Sequence, residues 1–117
     1  MQINVETDFR GKHYEAHIET DQASIADSAR RTKLNVEGYS VEDDQREIMV
    51  LRRITFPDLM GGTVKAEIKV DGQPLDWPIS FDVYLTLPEV IGRAWENAVY
   101  TDNPAWTGLT KEKKAEA

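Results

Sequence analysis

His13, Glu15, His17 and Glu19 alternate with Tyr14, Ala16 and Ile18. In an extended chain this spacing puts two imidazoles and two carboxylates on one face. Nitrogen and oxygen donors of this kind are ligands for divalent metals. With a strand rise of roughly 3.3 Å per residue, His13 and His17 stand about 13 Å apart. They cannot close on one ion without a ligand from another segment, so by itself the row is expected to be a solvated polar face.

The other chemistry-bearing groups also have plain structural explanations. Glu42-Asp43-Asp44 matches the start of a helix, where carboxylates complement the dipole, and it lacks the D-x-D-x-D-G spacing of a calcium loop. Gly61-Gly62 belongs to neither G-x-G-x-x-G nor G-x-x-x-x-G-K and has no helix behind it to hold a phosphate. It is expected to be a flexible turn. Arg30-Arg31-Lys33 and Arg52-Arg53 lie among acidic residues and are expected to form ion pairs on helix surfaces. Serine and histidine are sparse, and no Ser/His/Asp set stands in a nucleophile context. The expectation is a protein that is not an enzyme, with no catalytic residues, no cofactor and no metal. Trp77, Trp95, Tyr100 and Trp106 are the residues suited to a partner surface, because tryptophan and tyrosine dominate interface hot spots. Trp95 lies on an apolar stripe that favours the core. Tyr100 and Trp106 lie where that stripe ends.

These residues depend on a small set of elements. Gln2 to Thr7 and His13 to Glu19 alternate as two strands around a loop over Asp8 to Lys12, which predicts a hairpin. Ala23, Ala26 and Ala29 repeat every three residues within Thr20 to Leu34, a thin helical stripe. Ser40 opens a second helix, with Ile48, Leu51 and Thr55 on its buried side and Pro57 as its stop. Val64, Ala66, Ile68 and Val70 form one face of a strand that runs into the turn pair Asp71-Gly72. Pro74 and Pro78 limit any return strand to a short edge. Ile79 to Leu85 fits either a strand or a helix capped by Ser80. In the last segment Thr86 and Glu89 have capping-box spacing and Pro88 suits a first turn. Leu87, Val90, Ile91, Ala94, Trp95 and Ala98 make the stripe, and Asn103-Pro104 ends it. The fold class is therefore α+β: an N-terminal β-hairpin, a possible second hairpin and three or more packed helices. Residues 1–108 form one domain and residues 109–117 a flexible charged tail.

The totals narrow the function classes. The chain has 117 residues, 40% of them hydrophobic, enough for one modest core. A net charge of −7 disfavours general nucleic-acid binding and docking on anionic membranes. Cysteine is absent, which removes disulfides, thiolate nucleophiles and cysteine metal sites. No apolar run is long enough to span a bilayer, and the first residues lack a signal-peptide core, so a cytoplasmic protein is expected.

Three stretches then resemble the small tail assembly chaperones of long-tailed bacteriophages. They are the hairpin and polar helix of Gln2 to Leu34, the helix running into Arg52-Arg53-Ile54-Thr55-Phe56-Pro57-Asp58, and Leu87-Pro88 with Trp95, Ala98-Val99-Tyr100 and Asn103-Pro104-Ala105-Trp106. Thr63 to Pro78 is an extra hairpin relative to the compact family pattern. The resemblance implies a non-enzymatic protein of the host cytoplasm that binds and solubilises the tape-measure protein during tail morphogenesis. It also implies contact with the tail-tube protein, self-association, and a longer product made by ribosomal frameshifting. Trp95, Tyr100 and Trp106 would then contribute to the partner surface. Two other readings stand beside it. One is a small structural tail or head-completion protein retained in the virion. The other is a nucleic-acid mimic, which the scatter of carboxylates from Glu6 to Glu116 disfavours.

Overall fold

The computed structural model describes residues 1–30 and 46–109. Its sheet is built by two tight turns. Arg10 and Gly11 have φ of +51° and +80°, and Asp71 and Gly72 repeat these values. Positive φ at both central residues matches the twist of the flanking strands, and glycine adopts it without a steric cost. The first turn is therefore shorter than the loop expected over Asp8 to Lys12. It lets β1 (Gln2–Phe9) and β2 (Lys12–Thr20) pair along their whole lengths. The second turn joins β3 (Thr63–Val70) to β4 (Gln73–Pro74), the short proline-bearing edge foreseen from the sequence. The four strands form one antiparallel sheet in the order β1-β2-β3-β4.

One face of this sheet is apolar. Ile3 and Val5 pair with Ile18 and Ala16, which in turn pair with Ala66 and Ile68. The expected alternation of β3 fails at its start. Glu19 pairs with Lys65 but Thr20 pairs with Thr63, so Val64 is the extra residue of a β-bulge. The bulge turns Thr63 inward and leaves Val64 63% exposed. A one-residue shift reverses every side chain beyond it.

The helices cover the apolar face. α1 occupies residues 25–30, and Thr20 belongs to β2 rather than to this helix. Ser24 caps α1: its hydroxyl donates to Asp27 and also accepts from the Asp27 N–H. The alanine stripe proposed for this segment is not the buried side. Ala26 and Ala29 are exposed and Ile25 is 90% exposed, whereas Ala23, Asp27 and Arg30 are half-buried. Arg30 turns inward because it pairs with the buried Asp58 carboxylate on a neighbouring helix, while Asp27 is held by Ser24. The expected link at Asn35 to Tyr39, the Ser40 cap and the acidic first turn at Glu42 to Asp44 lie outside the described residues.

Pro57 does not end its helix. α2 (Arg46–Val50) passes into a π-helical turn at Leu51–Thr55, which passes into α3 (Phe56–Gly62). The Phe56 N–H reaches back five residues to the Leu51 carbonyl. A proline ring normally collides with the carbonyl four residues earlier. The wider π turn changes that register just ahead of Pro57, which then occupies the first turn of α3, where its missing N–H is tolerated. Gly61-Gly62 closes α3, and β3 follows without an intervening loop.

Ile79 to Leu85 resolves in favour of the helix. Ser80 caps α4 (Phe81–Thr86) by accepting from the Val83 N–H at 3.2 Å. Thr86 is therefore the last residue of α4, and its hydroxyl donates to the Val83 carbonyl. The capping box proposed for Thr86 and Glu89 does not form. α5 (Glu89–Asp102) starts after Pro88 without a side-chain cap, and Glu89 pairs with Arg93 one turn on. Ile91, Trp95, Ala98 and Val99 are the buried residues of α5. Val90, assigned to the same stripe, is half exposed. Asn103 caps the C-terminus, and a 3₁₀ turn (Pro104–Leu109) folds Trp106 back onto the core.

Candidate functional site

The aromatic residues proposed as a partner surface lie mostly inside. Trp95 has no exposed surface and Trp106 only 5%. Both pack in the hydrophobic core. The indole of Trp95 donates to the Thr63 hydroxyl, and its ring meets Tyr84 edge-on and Trp77 at a tilt. Tyr100 is half-buried, and its hydroxyl donates to Asp58 at 2.8 Å. The fully buried Asp58 carboxylate also accepts from Arg30 at 2.8 Å. It therefore ties α1, α3 and α5 together. Trp77 keeps a substantial exposed surface.

Exposed apolar side chains are scattered over the described residues, Ile25, Val64, Trp77 and Leu85 among them, and Leu85 borders a groove at the corner between α4 and α5. The groove, of about 490 Å³, is lined by Leu51, Tyr84, Leu85, Leu87 and Pro88 together with the charged Glu89, Arg93 and Glu96. Leu85 is 42% exposed. Tyr84, in the groove lining, packs ring against ring with Phe56 and Phe81, which also meet each other, at 5.3 to 6.2 Å. Burial, with a further contribution from Glu96, pushes the Tyr84 hydroxyl up to about 12, so it stays protonated throughout the physiological range. No local signal marks this groove: Leu51 and Leu87 both lie on apolar stripes that read as core, and the segment holding Leu85 fits either a strand or a helix.

The second cluster lies on the opposite, polar face of the sheet. The β1–β2 register sets Glu6 across from Glu15, Asp8 across from His13 and Asn4 across from His17. His13 Nδ1 is 2.7 Å from Asp8, and its Nε2 is 2.9 Å from Glu6 and 3.7 Å from Glu15. His17 Nδ1 is 2.7 Å from Asn4 Oδ1, and its Nε2 is 4.0 Å from the second Glu15 oxygen. One donor atom each from Glu6, His13 and Glu15 lie within 4.8 Å of one another. Hydrogen bonding to Asp8 and then to Glu6 raises the His13 pKa above its ordinary value. Glu15 thus sits between two histidines that backbone rise alone would keep apart. Glu19, the fourth member of the row, pairs across the sheet with Gln2 and Lys65 instead. Glu6 and Asp8 stand outside the histidine row in the sequence, on the other side of the turn. The two-residue turn at Arg10-Gly11 places both opposite the histidine row.

Among the described residues, no helix is long and apolar enough to cross a membrane. No family model matches the sequence, and no characterised protein or solved structure is significantly similar to it.

Proposed function

We propose that this protein is a non-enzymatic tail assembly chaperone of a long-tailed bacteriophage, acting in the host cytoplasm to bind and solubilise the tape-measure protein. The observation that carries the reading is the α4–α5 groove, lined by Leu51, Leu87, Pro88 and the exposed Leu85. A long helical partner presents apolar stripes, and a groove of this kind takes such a stripe by its i, i+3, i+4 anchors. The net charge of −7 would keep a loaded complex dispersed.

Repeated binding along an extended partner also requires copies of the chaperone to meet. β1 is an edge strand of eight residues, and β4 pairs with only the last two residues of β3. Both edges present backbone groups suited to strand addition. Sedimentation velocity is expected to show concentration-dependent association, and a strict monomer at high concentration removes this element. The tail-tube protein is a second expected partner.

Co-expression with the tape-measure protein tests the main reading. The wild-type chain is expected to raise the soluble fraction of tape-measure protein, and Leu85→Glu is expected to abolish that effect while the circular dichroism spectrum stays unchanged. Failure of the wild type refutes the chaperone role. Recovery of the protein from purified virions would favour the retained structural subunit instead.

A further inference from the structure

We propose that the outer face of the β1–β2 hairpin holds one divalent transition-metal ion of the zinc class, ligated by Glu6, His13 and Glu15. This inference is independent of the groove and of the chaperone reading. The three residues come from two strands, and the donor atoms His13 Nε2, a Glu6 oxygen and a Glu15 oxygen converge within 4.8 Å. An imidazole with two carboxylates selects a borderline metal such as Zn²⁺ over Mg²⁺ or Ca²⁺, which take oxygen ligands only.

Electrostatics supports the assignment. Asp8 and Glu6 are both acceptors only, so without a metal the His13 ring donates from Nδ1 to Asp8 at 2.7 Å and from Nε2 to Glu6 at 2.9 Å. When Nε2 gives up its proton while Asp8 keeps the one on Nδ1, the freed lone pair faces Glu6 at 2.9 Å and Glu15 at 3.7 Å. An ion bound there takes the place of the Nε2 proton and meets all three donor atoms. A proton on Nε2 satisfies Glu6 at hydrogen-bonding distance but not Glu15; a dication satisfies both. Lys69, which pairs with Glu15 across the sheet, places its ammonium 3.6 Å from Glu67.

The surroundings have the form of a metal ligand's support. A ligating histidine commonly donates its other N–H to a carboxylate, which fixes ring orientation and tautomer. Asp8 does this for His13 and is a positioning residue. Asn4 Oδ1 accepts from His17 Nδ1, so the His17 Nε2 lone pair also points towards the Glu15 side of the cluster. The side chain of His13 is 43% exposed, and an ion reaches it from solvent without any opening of the fold.

Zinc titration of the full, tag-free chain at pH 7.5 tests the site, read by calorimetry and by ¹⁵N shifts of the histidine rings. The expected result is saturable binding of one Zn²⁺ per chain, a coordination shift at His13 Nε2, and no displacement by millimolar Mg²⁺. His13→Gln, Glu6→Gln and Glu15→Gln are each expected to weaken binding at least tenfold, with amide spectra that still report the native fold. Asp8→Asn is expected to weaken it by about 10–100-fold and to alter the tautomer signature of His13. Glu67→Gln, on the same face, is expected to leave binding unchanged. Absence of saturable binding by the folded wild type overturns the proposal, as does full affinity in both Glu6→Gln and Glu15→Gln.

Discussion

The indole N–H of Trp95 donates to the Thr63 hydroxyl at 2.9 Å, which joins the middle of α5 to the first residue of β3. Thr63 in turn donates to the Leu59 carbonyl in α3. The β-bulge makes this chain possible, because it points Thr63 rather than Val64 at the core. Trp95→Ala is expected to cost about 3–5 kcal/mol, the range for emptying a fully buried tryptophan site. Thr63→Val keeps the volume but strands the indole N–H, at about 1–3 kcal/mol. Urea unfolding of the two variants measures both losses. A loss below about 1 kcal/mol for Trp95→Ala contradicts the packing described.

Asp58 is expected to be the most sensitive polar position. Its carboxylate is fully buried between Arg30 and Tyr100. Asp58→Ala leaves the part-buried guanidinium of Arg30 without this partner, a change in the class that costs about 3–5 kcal/mol. Tyr100→Phe removes a single hydrogen bond to a charged group, worth about 1.5–3 kcal/mol. Thermal or urea unfolding should rank the two in that order.

Two glycines in helices should respond in opposite directions. A Cβ at Gly62 would stand 2.7 Å from Val99 Cγ1, where α3 meets α5, whereas a Cβ at Gly92 meets nothing within 4 Å. Gly62→Ala is expected to destabilise by about 1–3 kcal/mol through overpacking. Gly92→Ala is expected to stabilise by up to about 1 kcal/mol through helix propensity. Midpoints of urea denaturation distinguish them.

Acid stability should depend in part on Asp102. Its carboxylate accepts from the Thr20 hydroxyl at 2.6 Å and from the Met1 ammonium at 2.9 Å. These hydrogen bonds, Thr20's first, hold its pKa below the ordinary value against a smaller opposing effect of burial. A depressed folded-state pKa means that the stabilisation is fully present above the unfolded pKa of about 3.9 and is lost as pH falls through the folded value. Between pH 6 and pH 2 the wild type is therefore expected to lose more stability than Asp102→Asn. Parallel acid slopes would refute the linkage.

The sequence alone determined the elements whose signals are local. Ile3 and Val5, then Tyr14, Ala16 and Ile18, alternate strictly enough to specify two strands with one buried face. Asp71-Gly72 and Ser80 carry their own turn and cap chemistry. The stripe through Ile91, Trp95 and Ala98 marks α5, and Asn103-Pro104 marks its end. Only the tertiary structure decided what depends on partners distant in the chain. Register across β1 and β2 brought Glu6 and Asp8 to His13, because cross-strand neighbours follow turn length and not sequence spacing. The bulge beside Thr20 exchanged Val64 for Thr63. The π turn carried a helix past Pro57, against the local rule that proline stops it. Trp106 reads equally well as surface or core until α5 supplies the wall it packs on. Burial is a property of the assembled layers, and no single segment encodes it.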